Sequence, residues 1–291
     1  MKKVNRLFKI FIPALLAATL LALVFAILAV VLTYSHSTGN IEMMSPLSIF
    51  FVVTLLIALI VPVVFAILFK ELKITRTKRD LIVVKIAALF LCISIIAFEI
   101  VDMIYMSNTE FLIWRFLRLI VSFFFIAHTV FALLPSKTNI PPFARHCASA
   151  GAPIFAILSV LSFYFPGDSE EHFPDYLKIL FVIAYSLFAL YALYDFKWKL
   201  VPTNPRSYMA LSSMTFVFTS IVSITSIVAI FANEGMVASN RFILCIFEAT
   251  LLLAFSLIAL SKTLAIKKTV AHVVKISEEH EAKEPNIKRK N

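Results

Sequence analysis

Glycine is nearly missing from this chain. Four of 291 residues are glycine, at positions 39, 151, 167 and 235, and the spans read below leave each in a loop or at a helix end. Close helix crossing through GxxxG is thereby excluded, as are the glycine-rich unwound breaks that many transporters use at their binding sites. That counts against the commonest transporter designs, though not against transport. Cysteine is equally sparse. Cys92 and Cys245 fall inside apolar spans and Cys147 at a rim, an odd set that excludes a disulfide framework and a CxxC site and fits burial as small apolar residues. Charged residues make up only 15% and hydrophobic ones 61%, with a mean hydropathy of +0.94. A soluble domain has too little interior to hide that much apolar side chain. There is no HExxH, GxSxG, Walker A or GxGxxG. A lone intramembrane His128 excludes bis-histidine haem ligation. No catalytic residue, metal ligand or cofactor is therefore assigned.

What the chain does have is eight apolar segments, over residues 8–33, 47–69, 81–106, 111–134, 150–166, 176–195, 207–232 and 240–262. Most are long enough for a ~30 Å hydrocarbon core at about 1.5 Å per residue, and the fifth, with about 17 residues, is near the minimum. If residue 1 is cytoplasmic and each span crosses once, 23 of the 27 Lys and Arg fall on the inner side. The outer loops carry acids instead: Glu42, Glu110, Asp168, Glu170, Glu171, Asp175 and Glu234. Positive residues resist translocation, so both termini are expected in the cytoplasm. The first apolar run exceeds a cleavable signal core of roughly 7–15 residues and reads as an uncleaved helix. The net charge of +10 is spread along the inner rims, where it meets anionic lipid headgroups, and is not a nucleic-acid signal. Compact loops and the absence of any Asn-x-Ser/Thr point to a bacterial plasma (inner) membrane.

The expected fold is thus an all-α integral membrane protein: an eight-transmembrane-helix bundle over residues 1–265, followed by a tail, 266–291. The tail starts as a basic amphipathic stretch (Ile266, Val270, Val273, Val274 and Ile276 among Lys267, Lys268 and Lys275) suited to the inner headgroup surface, and turns charged and disordered from Ser277. Short matches between spans one and five (FAILAV, FAILSV) and between spans four and eight (Arg-Phe near the start, Ser-Lys after the end) suggest two parallel four-helix repeats, 1–145 and 146–265. Chance similarity between apolar helices explains them equally.

The most specific signal is charge inside the membrane, where each charge needs a partner or a function. Glu99 and Asp102 share one face of span three, and Arg115 and Arg118 share one face of span four, each pair spaced i, i+3. A turn near Asn108 and Thr109 sets Asp102 level with Arg115 and Glu99 level with Arg118. Two readings follow: a self-neutralising ion-pair ladder that pins the hairpin, or the wall of an outer cavity in which an arginine holds a small anionic ligand. Glu248 in span eight has no basic neighbour on the next turn. It is expected either to titrate as a proton-coupling group, to join the arginines, or to bond span seven. Span seven places Ser212, Thr215, Thr219, Ser223 and Ser226 on one face, as helix glue or, at Thr219, Ser223 and Ser226, as a cavity wall. His128 reads as a hydrogen-bonded packing residue, and Asp195, beside Lys197 and Lys199, as a solvated rim residue.

Three functions fit these features. The first is a small-solute or ion carrier using Glu99, Asp102, Arg115, Arg118 and Glu248. The second is a sensor or assembly protein that acts through a partner chain at the cytoplasmic face. The third, a lipid-modifying intramembrane enzyme, lacks any nucleophile or metal constellation.

Overall fold

A computed structural model describes residues 2–35, 40–41, 45–70, 72, 81–106, 113–134, 138–164, 175–200, 204–232 and 242–287. The protein is all-helical: α1 Lys2–Thr33, α2 Pro46–Leu68, α3 Ile82–Met106, α4 Ile113–Leu133, α5 Pro142–Tyr164, α6 Asp175–Leu200, α7 Pro205–Ala232 and α8 Phe242–Ile287. A two-residue antiparallel bridge, Tyr34–Ser35 with Asn40–Ile41, joins α1 to α2. Among the described residues, these eight helices are long and apolar enough to cross a bilayer. Local chemistry sets their starts. The Ser45 hydroxyl accepts from Ser48 N at 3.2 Å ahead of Pro46, and α5 and α7 open on Pro142 and Pro205, where the missing N–H costs nothing.

Two helices are longer than the sequence predicts. Pro142 begins α5, so the fifth membrane-length helix covers the 22 residues Pro142–Phe163 rather than a minimal length. α8 does not stop near 262. It runs on unbroken into the expected tail, with Ile266, Val270 and Val274 buried one turn apart on a single face. That face packs against the protein's own core instead of lying on a headgroup surface.

Six helices close a ring. α3 packs on α4, α4 on α5, α5 on α6, α6 on α7, α7 on α8, and α8 back on α3. α1 and α2 pair with each other and lean on α7 from outside the ring. Burial follows this plan: 72% of the apolar window of α7 is buried against 17% of that of α2, which faces the surroundings with Ile49, Phe50, Val53, Leu56 and Ile60. Packing is unequal between the suggested halves. α7 packs on α1 and α2, whereas the main partners of α3 are α4 and α8.

Glycine corrects its sequence reading at one position. Gly151 lies well inside α5, and a Cβ there would sit 2.6 Å from Phe125 N and 2.8 Å from Phe124 C on α4. With Ala148, Ser149, Ala150 and Ala152 around it, this residue lets the α4 and α5 backbones nearly touch.

Candidate functional site

The charges of α3 and α4 meet on the ring axis. Glu99, Asp102, Arg115 and Arg118 are each no more than 7% exposed. Arg118 Nη2 donates to Asp102 Oδ2, Arg118 Nε stands 3.4 Å from Glu99 Oε1, and Arg115 Nε stands 3.8 Å from Asp102 Oδ1. Both expected level pairs are present, and a diagonal contact from Arg118 to Asp102 is added to them. Arg118 engages both acids and Asp102 both bases, because a guanidinium fork can serve two carboxylates stacked one turn apart. The Arg118 Cζ also lies 4.7 Å from the Phe98 ring centroid, a cation–π distance. Neither Glu99 carboxylate oxygen has a hydrogen-bond partner among the described residues.

Glu248 joins this group from α8. It is buried, and it accepts a hydrogen bond from the Tyr185 hydroxyl of α6 at 2.9 Å. It also lies within the electrostatic field of Arg118. Among the described residues, three carboxylates thus share the axis with two guanidiniums, leaving one negative charge in excess. Among the described residues no group of three His, Cys, Asp or Glu is arranged to hold a metal ion.

The α7 hydroxyls act mainly as glue. Ser223 donates to the Ala249 carbonyl of α8 at 2.6 Å, and Ser212 meets the Thr263 hydroxyl at 2.9 Å. Thr219 and Ser226 donate to Thr215 and Val222 carbonyls of their own helix, each at 2.6 Å. These four are buried and each has a hydrogen-bond partner, as hydroxyls in apolar helices commonly do, whereas the buried Thr225 hydroxyl has none among the described residues.

A second polar site lies toward the other end of the ring, the end that carries Lys2. There a cavity of about 40 Å³ is walled by His128 and Thr129 of α4, Ser149 of α5, Tyr191 and Asp195 of α6, and Lys262 of α8. That volume holds two or three waters, at roughly 10–15 Å³ each. Asp195 is not a solvated rim residue. It is 8% exposed, takes the Tyr208 hydroxyl at 2.6 Å, and lies 4.0 Å from Lys262 Nζ. His128 is a wall of the cavity rather than only a packing residue. Thr219, Ser223 and Ser226 are not part of this wall.

Aromatic rings separate the two sites. Phe188 of α6 and Phe255 of α8 stack with centroids 3.7 Å apart and planes within 5°, and Phe125 of α4 abuts both at 6.0 and 6.2 Å. Phe125 and Phe188 also roof the cavity. The layering is written in steps of seven residues, two helical turns that return to nearly the same face. Arg118 precedes Phe125, Phe188 precedes Asp195, and Glu248, Phe255 and Lys262 follow one another on α8. Sequence reading missed this pattern, although the spacing was visible. The chain matches no protein-family model, no curated protein and no solved structure.

Proposed function

We propose that this chain is a small-solute or ion carrier of a bacterial plasma membrane, with both termini cytoplasmic. What supports this most is the layering on the ring axis: a buried charged cluster, a stacked aromatic barrier, and a polar water-sized cavity. Alternating access needs a path that can be closed on either side of a site, and an aromatic stack between two polar sites can serve as such a closure. The charge asymmetry of the loops supports the orientation. It makes the Glu99–Asp102–Arg115–Arg118–Glu248 cluster outer and the His128–Asp195–Lys262 cavity inner.

The arginines are already engaged by carboxylates, which disfavours the anionic ligand expected from sequence and favours a cation or a proton. A second reading, an assembly protein with a cytoplasmic partner, draws on the continuation of α8 to Ile287.

Single cysteines test the carrier reading. Cys92, Cys147 and Cys245 are first replaced by Ala. A cysteine is then placed at Ser122, between the cluster and the barrier, or at Ser149 in the cavity. A membrane-impermeant maleimide is expected to label Ser122→Cys from the outer face and Ser149→Cys from the inner face. Locking one site open should protect the other. Labelling at both ends with no mutual protection would overturn the carrier.

A further inference from the structure

Among the described residues, the cluster carries one carboxylate more than its guanidiniums can balance. Glu99, Asp102 and Glu248 face Arg115 and Arg118, and all five are buried. A net charge so placed is strongly disfavoured, because low-dielectric surroundings neither solvate nor screen it. The ordinary relief is a proton on one carboxylate.

Glu99 and Asp102 each lie against Arg118, and Asp102 also faces Arg115. Glu248 is different: its hydrogen bond comes from a neutral phenol, Tyr185. The other helices packed on α8 bring no further charge to it. On α7, Thr219, Ser223 and Ser226 already donate to carbonyls and Thr225 is a neutral hydroxyl, and α1 carries no titratable residue between Lys9 and Tyr34.

We infer that Glu248 carries an exchangeable proton, and that this proton is the coupling ion of the carrier. The first half stands on the charge count and geometry alone; the second rests on the carrier reading above. Tyr185 is placed to pass the proton on. It lies one turn from the barrier residue Phe188, and Tyr191, one turn further, borders the water-sized polar cavity with Asp195 and His128. When Phe188 and Phe255 part, water entering from the cavity reaches the Tyr185 hydroxyl. The phenol O–H then turns from Glu248 to that water and gives it the proton while its oxygen accepts the one from the Glu248 carboxyl, so protons balance and Glu248 is left as a carboxylate. That ion is stabilised by Arg118 until a second proton arrives.

Infrared spectroscopy of the purified full chain in an alkyl maltoside detergent, which has no carbonyl group, tests this without any solute. Exposed carboxyls are ionised at neutral pH, so a protonated C=O stretch there reports a buried acid. The expected result is a band that shifts in D2O, disappears as pH is raised, is absent from Glu248→Gln, and moves in frequency in Tyr185→Phe. Gln keeps an acceptor for Tyr185, so that variant retains the packing. The inference is overturned if wild type shows no such band at neutral pH, if the band survives in Glu248→Gln, or if it neither titrates nor shifts in D2O. Because no solute is present, a band that behaves as expected stands even if the cysteine labelling refutes a carrier.

Discussion

Arg118 holds the charged cluster together, and its removal shows by how much. Replacing it with Met keeps the length of the side chain but strands Glu99 and Asp102 in the interior with no guanidinium against Glu99. Breaking a buried pair from one side costs about 3–5 kcal/mol. Arg118→Met should therefore lower the unfolding midpoint in detergent sharply. Adding Asp102→Asn should restore part of the loss, with a coupling of roughly 0.5–3 kcal/mol in the double-mutant cycle. Independent, additive losses would mean that the pair does not act as a unit. At this scale the sequence was legible where contacts are local. The i, i+3 spacing on two consecutive spans was enough to bring Glu99, Asp102, Arg115 and Arg118 together in the expected pairs, to which the fork of Arg118 adds Asp102; the turn expected near Asn108 and Thr109 lies outside the described residues. Tyr185 was not legible as the partner of Glu248, because 63 residues separate them and no charge marks it. Asp195 was misread because Lys197 and Lys199 nearby imitate a solvated rim, while its real partner is Tyr208 on the next helix.

Among the elements, α4 and α5 depend on one missing methyl group. A Cβ at Gly151 would overlap the α4 backbone at Phe124 and Phe125, and backbone cannot rotate out of the way as a side chain can. Gly151→Ala should destabilise by about 1–3 kcal/mol as an overpacking change, even though alanine is the better helix former by about 1 kcal/mol. A rise in unfolding midpoint would show that the two helices have slack. The same variant pushes on Phe125 and so on the barrier, which makes cavity labelling at Ser149→Cys a second readout. Helix existence was legible from apolar run length at every element. Ends were not, because Pro142 can open a helix as readily as break one, and because the apolar stripe Ile266, Val270 and Val274 fits a core face as well as a headgroup surface.

For the molecule as a whole, run length and charge distribution announce eight spans, but neither says which helix meets which. Ring closure needs α3 to find α8, a pairing distant in sequence that no local pattern encodes, so the axis and its two polar sites emerge only in three dimensions. The barrier on that axis is the feature on which a carrier stands or fails. Phe255 is fully buried, stacks on Phe188, and meets Tyr185 edge to face at 5.7 Å. Removing its ring should cost about 3–5 kcal/mol of stability and open a gap between the Tyr185–Glu248 bond and the water-sized cavity. Phe255→Ala should then make liposomes leak protons, read as faster equilibration of an enclosed pH dye than with wild type. Phe255→Leu, which fills most of the gap, should leak less. Combining Phe255→Ala with Glu248→Gln should suppress the leak, because the gap alone supplies no group to carry a proton past Arg118. If Phe255→Ala liposomes are as tight as wild type while the protein remains folded, the aromatic stack is ordinary core packing, and the two polar sites are not halves of one path.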